Sequence, residues 1–323
     1  MIHESRVGVG ISGKEGRHAA NSADFAVSQF RFIVPLLMHH GRYNYIRCSK
    51  LVLYSFFKNL LLVGILFYYC FYSGFSGSIP LDTIVFSGYN FYLGLPIMVV
   101  GAFDCDVSRA DVLRHPALAY NTGRLGEMLN LKNMAKWCLF PFCQGLLLFV
   151  LAARFCSGPL YARSSVGGLF DFTIYGTGLN SLDNGWSYGL YVEGFLIYSV
   201  AIAAMQLKVV AMHSNPNIIF WGLWLLSFAG YFFFTFLYGL SPSLYWYNTV
   251  PLAMSQPQFW LALMLVPVVL CVSDAAFDVV WSVLYPSSSD RLLQMLQNET
   301  APSAATAGSL HARARQPTMN PLL

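Results

Sequence analysis

Residues 51–71 read LVLYSFFKNLLLVGILFYYCF, an apolar run interrupted by one charge, Lys58, and one amide, Asn59. A helix rises about 1.5 Å per residue and the hydrocarbon of a bilayer is about 30 Å thick, so roughly 20 apolar residues suffice to cross it. This run is long enough. Outward from it the pattern returns at residues 83–103, 137–155, 192–212, 218–240 and 259–280. Each of these six runs must be helical, because backbone amides in hydrocarbon have to be paired within their own segment. Composition points the same way. Of 323 residues, 56% are hydrophobic and 11% are charged, against about 25% charged in soluble domains. A water-soluble globule would leave too much apolar surface wet. The 7 cysteines form no CxxC pair, so neither a zinc site nor a disulfide framework is indicated. The expected fold class is an all-α polytopic membrane protein with six transmembrane helices, preceded by a short α/β segment.

Basic residues orient such a chain, since short cytosolic loops carry the excess of Lys and Arg. Six crossings put both ends on one side. That side would receive Arg6 to Lys50 before the first span, Arg109 to Lys136 after the second, Lys208 near the fourth, and Arg291, Arg313 and Arg315 in the tail. The opposite side would receive Arg154 and Arg163, with Lys58 inside the membrane. Both termini are therefore expected in the cytosol, and the sequon at Asn298 is expected to stay unglycosylated. The first fifty residues contain no basic region followed by an apolar run, so no cleavable signal peptide is expected there. The long external connection, residues 157–189, is rich in Gly, Ser and Tyr; a docking surface and a plain turn region are equal readings of it. The tail from residue 286 reads as disordered. No nucleic-acid partner is expected.

Near the amino end, Gly8, Gly13 and Lys14 fit the Walker spacing, but Glu15 stands where a hydroxyl would hold magnesium. A carboxylate there would repel a triphosphate. The preferred reading is a short strand over residues 7–11, a glycine turn, and a helix over 17–26. Residues 8–25, GVGISGKEGRHAANSADF, resemble the last strand and following helix of the phosphorylation domain of type IV P-type ATPases, the phospholipid flippases. The resemblance continues through FRF at 30–32, HGRYNY at 40–45, YSFFKN at 54–59, GAFD at 101–104, DVS at 106–108, HPALAY at 115–120 and NLK at 130–132, and on to Asp274. It implies three parts: residues 1–34 as the end of the phosphorylation domain, 35–285 as stalk and six-span transport domain (the family's spans five to ten), and 286–323 as a tail. In the family a stalk helix, here about 35–71, carries motion of the soluble domains into the membrane.

The DKTGT motif, the nucleotide-binding domain and the GDGxND motif of the family are not in this sequence. In relatives GDGxND ends just before a Met-Ile pair, and this chain begins Met1-Ile2, so it reads as the carboxyl-terminal third of a flippase. No cofactor is expected within it; ATP and Mg2+ are implied for the full-length enzyme. The resemblance also implies a phospholipid substrate and a small two-span accessory (beta) subunit.

Within the membrane, Lys58 carries the most information. A lysine at the bilayer centre costs about 2.5–3.5 kcal/mol on insertion scales. Either its stem snorkels to the headgroups or its ammonium lines a wet cleft beside Asn59. The resemblance favours the cleft, because flippases keep a lysine here that handles the lipid headgroup. In the second span Asn90 stands six positions before Pro96, where relatives have seven, and one residue turns a side chain by about 100°. Asn90 is retained as a path residue, with Tyr89 at the usual position, and Gly94 with Pro96 is expected to break or kink the helix. Asp274 and Asp278 lie on one helical face near the cytosolic surface and suggest anchoring rather than ion binding. Glu193 reads as interfacial. Too few buried carboxylates remain for a calcium or sodium cage.

The function these features support is the membrane domain of an ATP-driven phospholipid translocase moving lipid toward the cytosolic leaflet, an enzyme by resemblance but inactive as this chain alone. An ATP-independent channel or scramblase, or a regulatory protein binding the accessory subunit, are the alternatives.

Overall fold

The computed structural model describes residues 4–13, 18–156, 190–241, 246–247, 249–296 and 298. The long connection at 157–189, the Lys14 region and the chain beyond 298 lie outside the described residues. The chain divides into two compact units, one containing Met1–Ile46, Val107–Met128 and Trp281–Leu323, the other Arg47–Asp106 and Leu129–Val280.

In the first unit, strand β1 (Val9–Ile11), helix α1 (His18–Asn21) and strand β2 (Phe25–Val27) form a two-stranded parallel sheet, Val9 opposite Phe25 and Ile11 opposite Val27. The helix expected over 17–26 is thus much shorter. Asn21 and Ser22 end it, since their side chains compete for backbone hydrogen bonds. The Asp24 carboxylate accepts from the Gly8 amide at 2.7 Å, and the aromatic and β-branched ends of Phe25-Ala26-Val27 suit a strand.

The expected stalk helix is not uniform. A 3-10 turn (Phe30–Phe32), helix α2 (Ile33–Pro35) and a π-helical stretch (Leu36–Gly41) precede the long helix α3 (Arg42–Tyr72). Two short helices follow the second span in sequence. Helix α6 (Arg109–Arg114) is capped by Ser108, and α7 (Pro116–Arg124) starts on Pro116, whose fixed φ and missing N–H suit a first helical position. The disorder expected from residue 286 does not hold at its start. Residues 288–296 are helical, and Leu292 is fully buried with Val107, Val112 and Ala119. Ser287 and Asp290 cap each other's backbone amides. Glu127 accepts from the Ser288 amide at 2.8 Å and from its hydroxyl at 2.6 Å.

Six helices among the described residues are long and apolar enough to cross a membrane. They comprise α3, the pair α4 (Thr83–Ser87) and α5 (Tyr89–Phe103), then α8 (Leu131–Cys156), α9 (Leu190–Met212), α10 (Ile218–Gly239) and α12 (Pro257–Leu284), with the short α11 (Thr249–Ser255) before the last. In the second unit α9 is the centre of the bundle and is buried along most of its length, whereas α10 and α12 expose most of their surface. That is the pattern of a helix enclosed by protein against helices facing lipid. Gly194 marks the closest approach: a Cβ there would run into the Pro80 carbonyl.

The second span is interrupted, but not where Gly94 and Pro96 suggest. Asp82 caps α4, accepting from the Ile84 amide at 2.8 Å, and the interruption falls at Gly88. Helix α5 runs on through Gly94 and Pro96, with Pro96 inside it. A proline tolerated within a span needs the carbonyl it frees to be claimed by other groups, and here it is.

Candidate functional site

Residues from α3 and α5 meet inside the second unit. The Lys58 side chain is buried at 6% exposure, and its ammonium donates to the Asn90 side-chain oxygen. Its polar tip is thus turned toward α5. Tyr89, fully enclosed, donates its hydroxyl to the Lys58 backbone carbonyl at 2.8 Å, with the ammonium 5.6 Å from its ring centre. The one-residue offset in the second span is thereby resolved: Asn90 reaches the lysine side chain, while Tyr89 ties down the lysine backbone. Asn59 does not join them; it is exposed on the next face of α3. Asn90 is also exposed, so the pair joins a buried ammonium to an amide at the bundle surface. Gly94 and Pro96 stand one and nearly two turns further along α5.

A second buried lysine makes the chemistry of the first clear. Lys208 of α9, counted from sequence with the cytosolic charges, is 7% exposed and ion-paired with Asp274 of α12. Its ammonium lies 3.9 Å from the Phe57 ring centre and 4.9 Å from that of Trp137. Gln144 of α8 adds a bond to the Leu270 carbonyl at 3.3 Å and one to Asp274 at 3.4 Å. One turn on, Asp278 pairs with Lys136 at 2.5 Å. The two aspartates thus serve different lysines. A buried pair with its remaining atoms satisfied is a closed structural unit. Lys58 differs: among the described residues no carboxylate lies within ion-pair distance, and its partner is a neutral amide. Opposite charges attract most strongly where the dielectric is low, and an anionic group brought to this ammonium would meet no competing carboxylate among the described residues.

Asp104, just beyond α5, organises a further polar node. It accepts from the Lys50 ammonium at 2.5 Å and the Ser214 amide at 2.9 Å, and lies 3.2 Å from His213 Nδ1. Arg47 donates to the Asp104 backbone carbonyl at 2.6 Å. Burial alone would raise the Asp104 pKa, but the Lys50 hydrogen bond and charge, with the Ser214 amide, outweigh it and hold the carboxyl below its ordinary value. Burial also holds the His213 imidazole below its ordinary value, against the opposing pull of Asp104.

The sequence singles out Lys58 and Asn90, which the structure brings together, but not the Lys208–Asp274 pair, whose members are far apart in the chain. A lone lysine in an otherwise apolar span was the available signal. Gln206 and Ser227, buried side chains that bond to the second span, were also missed. Among the described residues no group of His, Cys, Asp and Glu could hold a metal ion.

Comparison with known proteins bears on the whole bundle. The family described as "Phospholipid-translocating P-type ATPase C-terminal" matches residues 20–287. The chain is 33% identical over 293 residues to the phospholipid-transporting ATPase C887.12 of Schizosaccharomyces pombe, covering 88% of this chain and 22% of that protein. It is 30% identical over 306 residues to the phospholipid-transporting ATPase DRS2 of Saccharomyces cerevisiae, covering 92% and 21%. It is 33% identical over 278 residues to the phospholipid-transporting ATPase VB of Homo sapiens, covering 83% and 17%. The chain spans about a fifth of the length of these relatives. With six membrane-crossing helices and a family match over most of its length, the chain belongs to the phospholipid-translocating P-type ATPases, as their carboxyl-terminal membrane part.

Proposed function

We propose that this chain forms the membrane end of an ATP-driven phospholipid translocase, with Lys58 and Asn90 on the route taken by the lipid headgroup toward the cytosolic leaflet. The observation that carries the reading is the contrast between the two buried lysines. Lys208 is neutralised by Asp274, whereas Lys58 faces a neutral amide and keeps a charge that a phosphate can meet. A phospholipid always carries that phosphate, whatever its headgroup. Its acyl chains can remain in lipid while the ammonium and amide replace part of the water lost by the headgroup.

In this reading ATP and Mg2+ act in the rest of the intact enzyme, the stalk segment before α3 receives its motion, and a two-span accessory subunit binds on the external side. Both termini lie in the cytosol. Residues 1–34, 35–285 and 286–323 correspond to the end of the phosphorylation domain, the transport domain and the tail.

The test uses the 323-residue chain in liposomes containing a photoactivatable phospholipid with its reactive group in the headgroup. Illumination and mass spectrometry should find adducts on α3 and α5 around Lys58, strongly reduced in Lys58→Ala and largely kept in Lys58→Arg. Adducts spread over α10 and α12 without regard to residue 58 would defeat the reading.

A further inference from the structure

We infer that Gln206 and Ser227 are positioning residues that fix the rotation of the second span and so hold Asn90 against Lys58; the importance of that hold for lipid rests on the function proposed above. The reasoning starts at Pro96. Its nitrogen carries no hydrogen, so the carbonyl four residues earlier, that of Tyr92, loses its helical donor. Inside a bilayer an unclaimed carbonyl has no water to bond and is strongly disfavoured. Two side chains from two other spans claim it. Gln206 Nε2 of α9 donates to the Tyr92 carbonyl at 3.1 Å, and the Ser227 hydroxyl of α10 donates to the same oxygen. The second Gln206 amide hydrogen goes to Ser227 Oγ at 2.8 Å. Trp224, one turn from Ser227, donates to the Gln206 backbone carbonyl at 3.2 Å.

Every donor of the trio is used, and both lone pairs of the freed carbonyl are occupied. Gln206 is 1% exposed and Ser227 2%, so water cannot readily substitute for either. Tyr92 lies two residues from Asn90 on the same helix. Turning α5 about its axis far enough to withdraw Asn90 from Lys58 would carry the Tyr92 carbonyl away from both donors. An ordinary helical carbonyl, satisfied within its own helix, could not serve in this way. The proline creates the acceptor that the two neighbouring spans grip.

The test reads the exposure of individual lysines. The 323-residue chain in liposomes is treated with a membrane-permeant amine reagent, and labelling of each lysine is quantified by mass spectrometry. Gln206→Leu, and Gln206→Leu combined with Ser227→Ala, should raise Lys58 labelling several-fold, to the level of Asn90→Ala. Lys208, held separately by Asp274, should stay as protected as in the parent. Ser227→Thr, which keeps the hydroxyl, should match the parent. Unchanged Lys58 labelling in the double variant overturns the inference, as does a parallel rise at Lys208, which would mean general loosening. A Lys58 signal that ignores Asn90→Ala overturns it too, because the amide would then not shield the ammonium. The readout contains no lipid-transport step. If photoactivatable lipid fails to mark Lys58 while these labelling shifts occur, the positioning role stands and the headgroup role falls; the converse pair of results has the opposite meaning.

Discussion

At the scale of single residues, the useful distinction is between Lys208, whose charge Asp274 cancels, and Lys58, which meets a neutral amide. Replacing Asn90 by Asp gives Lys58 a carboxylate at hydrogen-bond distance and turns it into a second closed pair like Lys208–Asp274. We expect Asn90→Asp to lower photoactivatable-phospholipid adducts at α3 below those of the parent, with Asn90→Ala falling between the two. Equal adduct yields in all three would remove the electrostatic argument. The Asp104 node makes a pH prediction. The carboxyl of Asp104 and the imidazole of His213 both have folded-state pKa values below their unfolded ones. The unfolded chain then binds more protons over each interval, so stability rises with pH there and is lost on acidification. Thermal unfolding in detergent should weaken first as pH drops below the ordinary histidine value and again below the ordinary carboxylate value. Asp104→Asn should remove the second step and lower stability at neutral pH, where it leaves Lys50 without its counter-charge. Lys58 was legible in the sequence because a charge inside an apolar run demands a reason. Its pairing with Asn90 was only half legible. Counting from Pro96 suggested a side chain facing elsewhere; Asn90 and Pro96 share one helix, α5, and which side of it meets Lys58 depends on how α3 packs there, which spacing within the second span does not record.

At the scale of elements, the six spans were readable because hydrocarbon thickness imposes a length and an apolar content that no loop satisfies. Their internal breaks were not. Pro96 passes through α5 since Gln206 and Ser227 satisfy what it frees, and donors supplied by other helices leave no local trace in the second span. Gly194 has a comparable dependence on a distant partner. A methyl group there meets the backbone carbonyl of Pro80, which cannot move aside as a side-chain tip could. We expect Gly194→Ala to cost about 1–3 kcal/mol or more, as overpacked interiors do, visible as a lowered midpoint of thermal unfolding in detergent. Gly222, where nothing stands within 4 Å of an added Cβ, should accept Ala with no such loss. The amino-terminal strand was legible from Val9 to Ile11, but the second strand was not. Phe25-Ala26-Val27 is too short to show alternation, and its pairing is supported by the Gly8 amide meeting Asp24, a contact between residues far apart in the chain.

At the scale of the whole molecule, composition alone decided that the chain is membrane-embedded, and the ordered motifs carried the family. The charge count leads to a topological prediction: tags at both ends of the chain in sealed cells should be reachable only after permeabilisation, and Asn298 should show no mass shift on glycosidase treatment. A tag reachable from outside would reverse the assignment. The chain as given should form no acid-stable phosphoenzyme with labelled ATP, and liposomes containing it should not equilibrate labelled phospholipid without ATP; passive equilibration would favour a scramblase. The packing of Leu292 with Val107, Val112 and Ala119 has a practical corollary for anyone shortening this protein. A stop placed where the final crossing ends, after Leu284, would strip the lid from a small oily pocket and leave Glu127 without the serine it holds. The minimal preparation that keeps its parts together therefore extends through residue 296, past the point where hydropathy alone would place the cut.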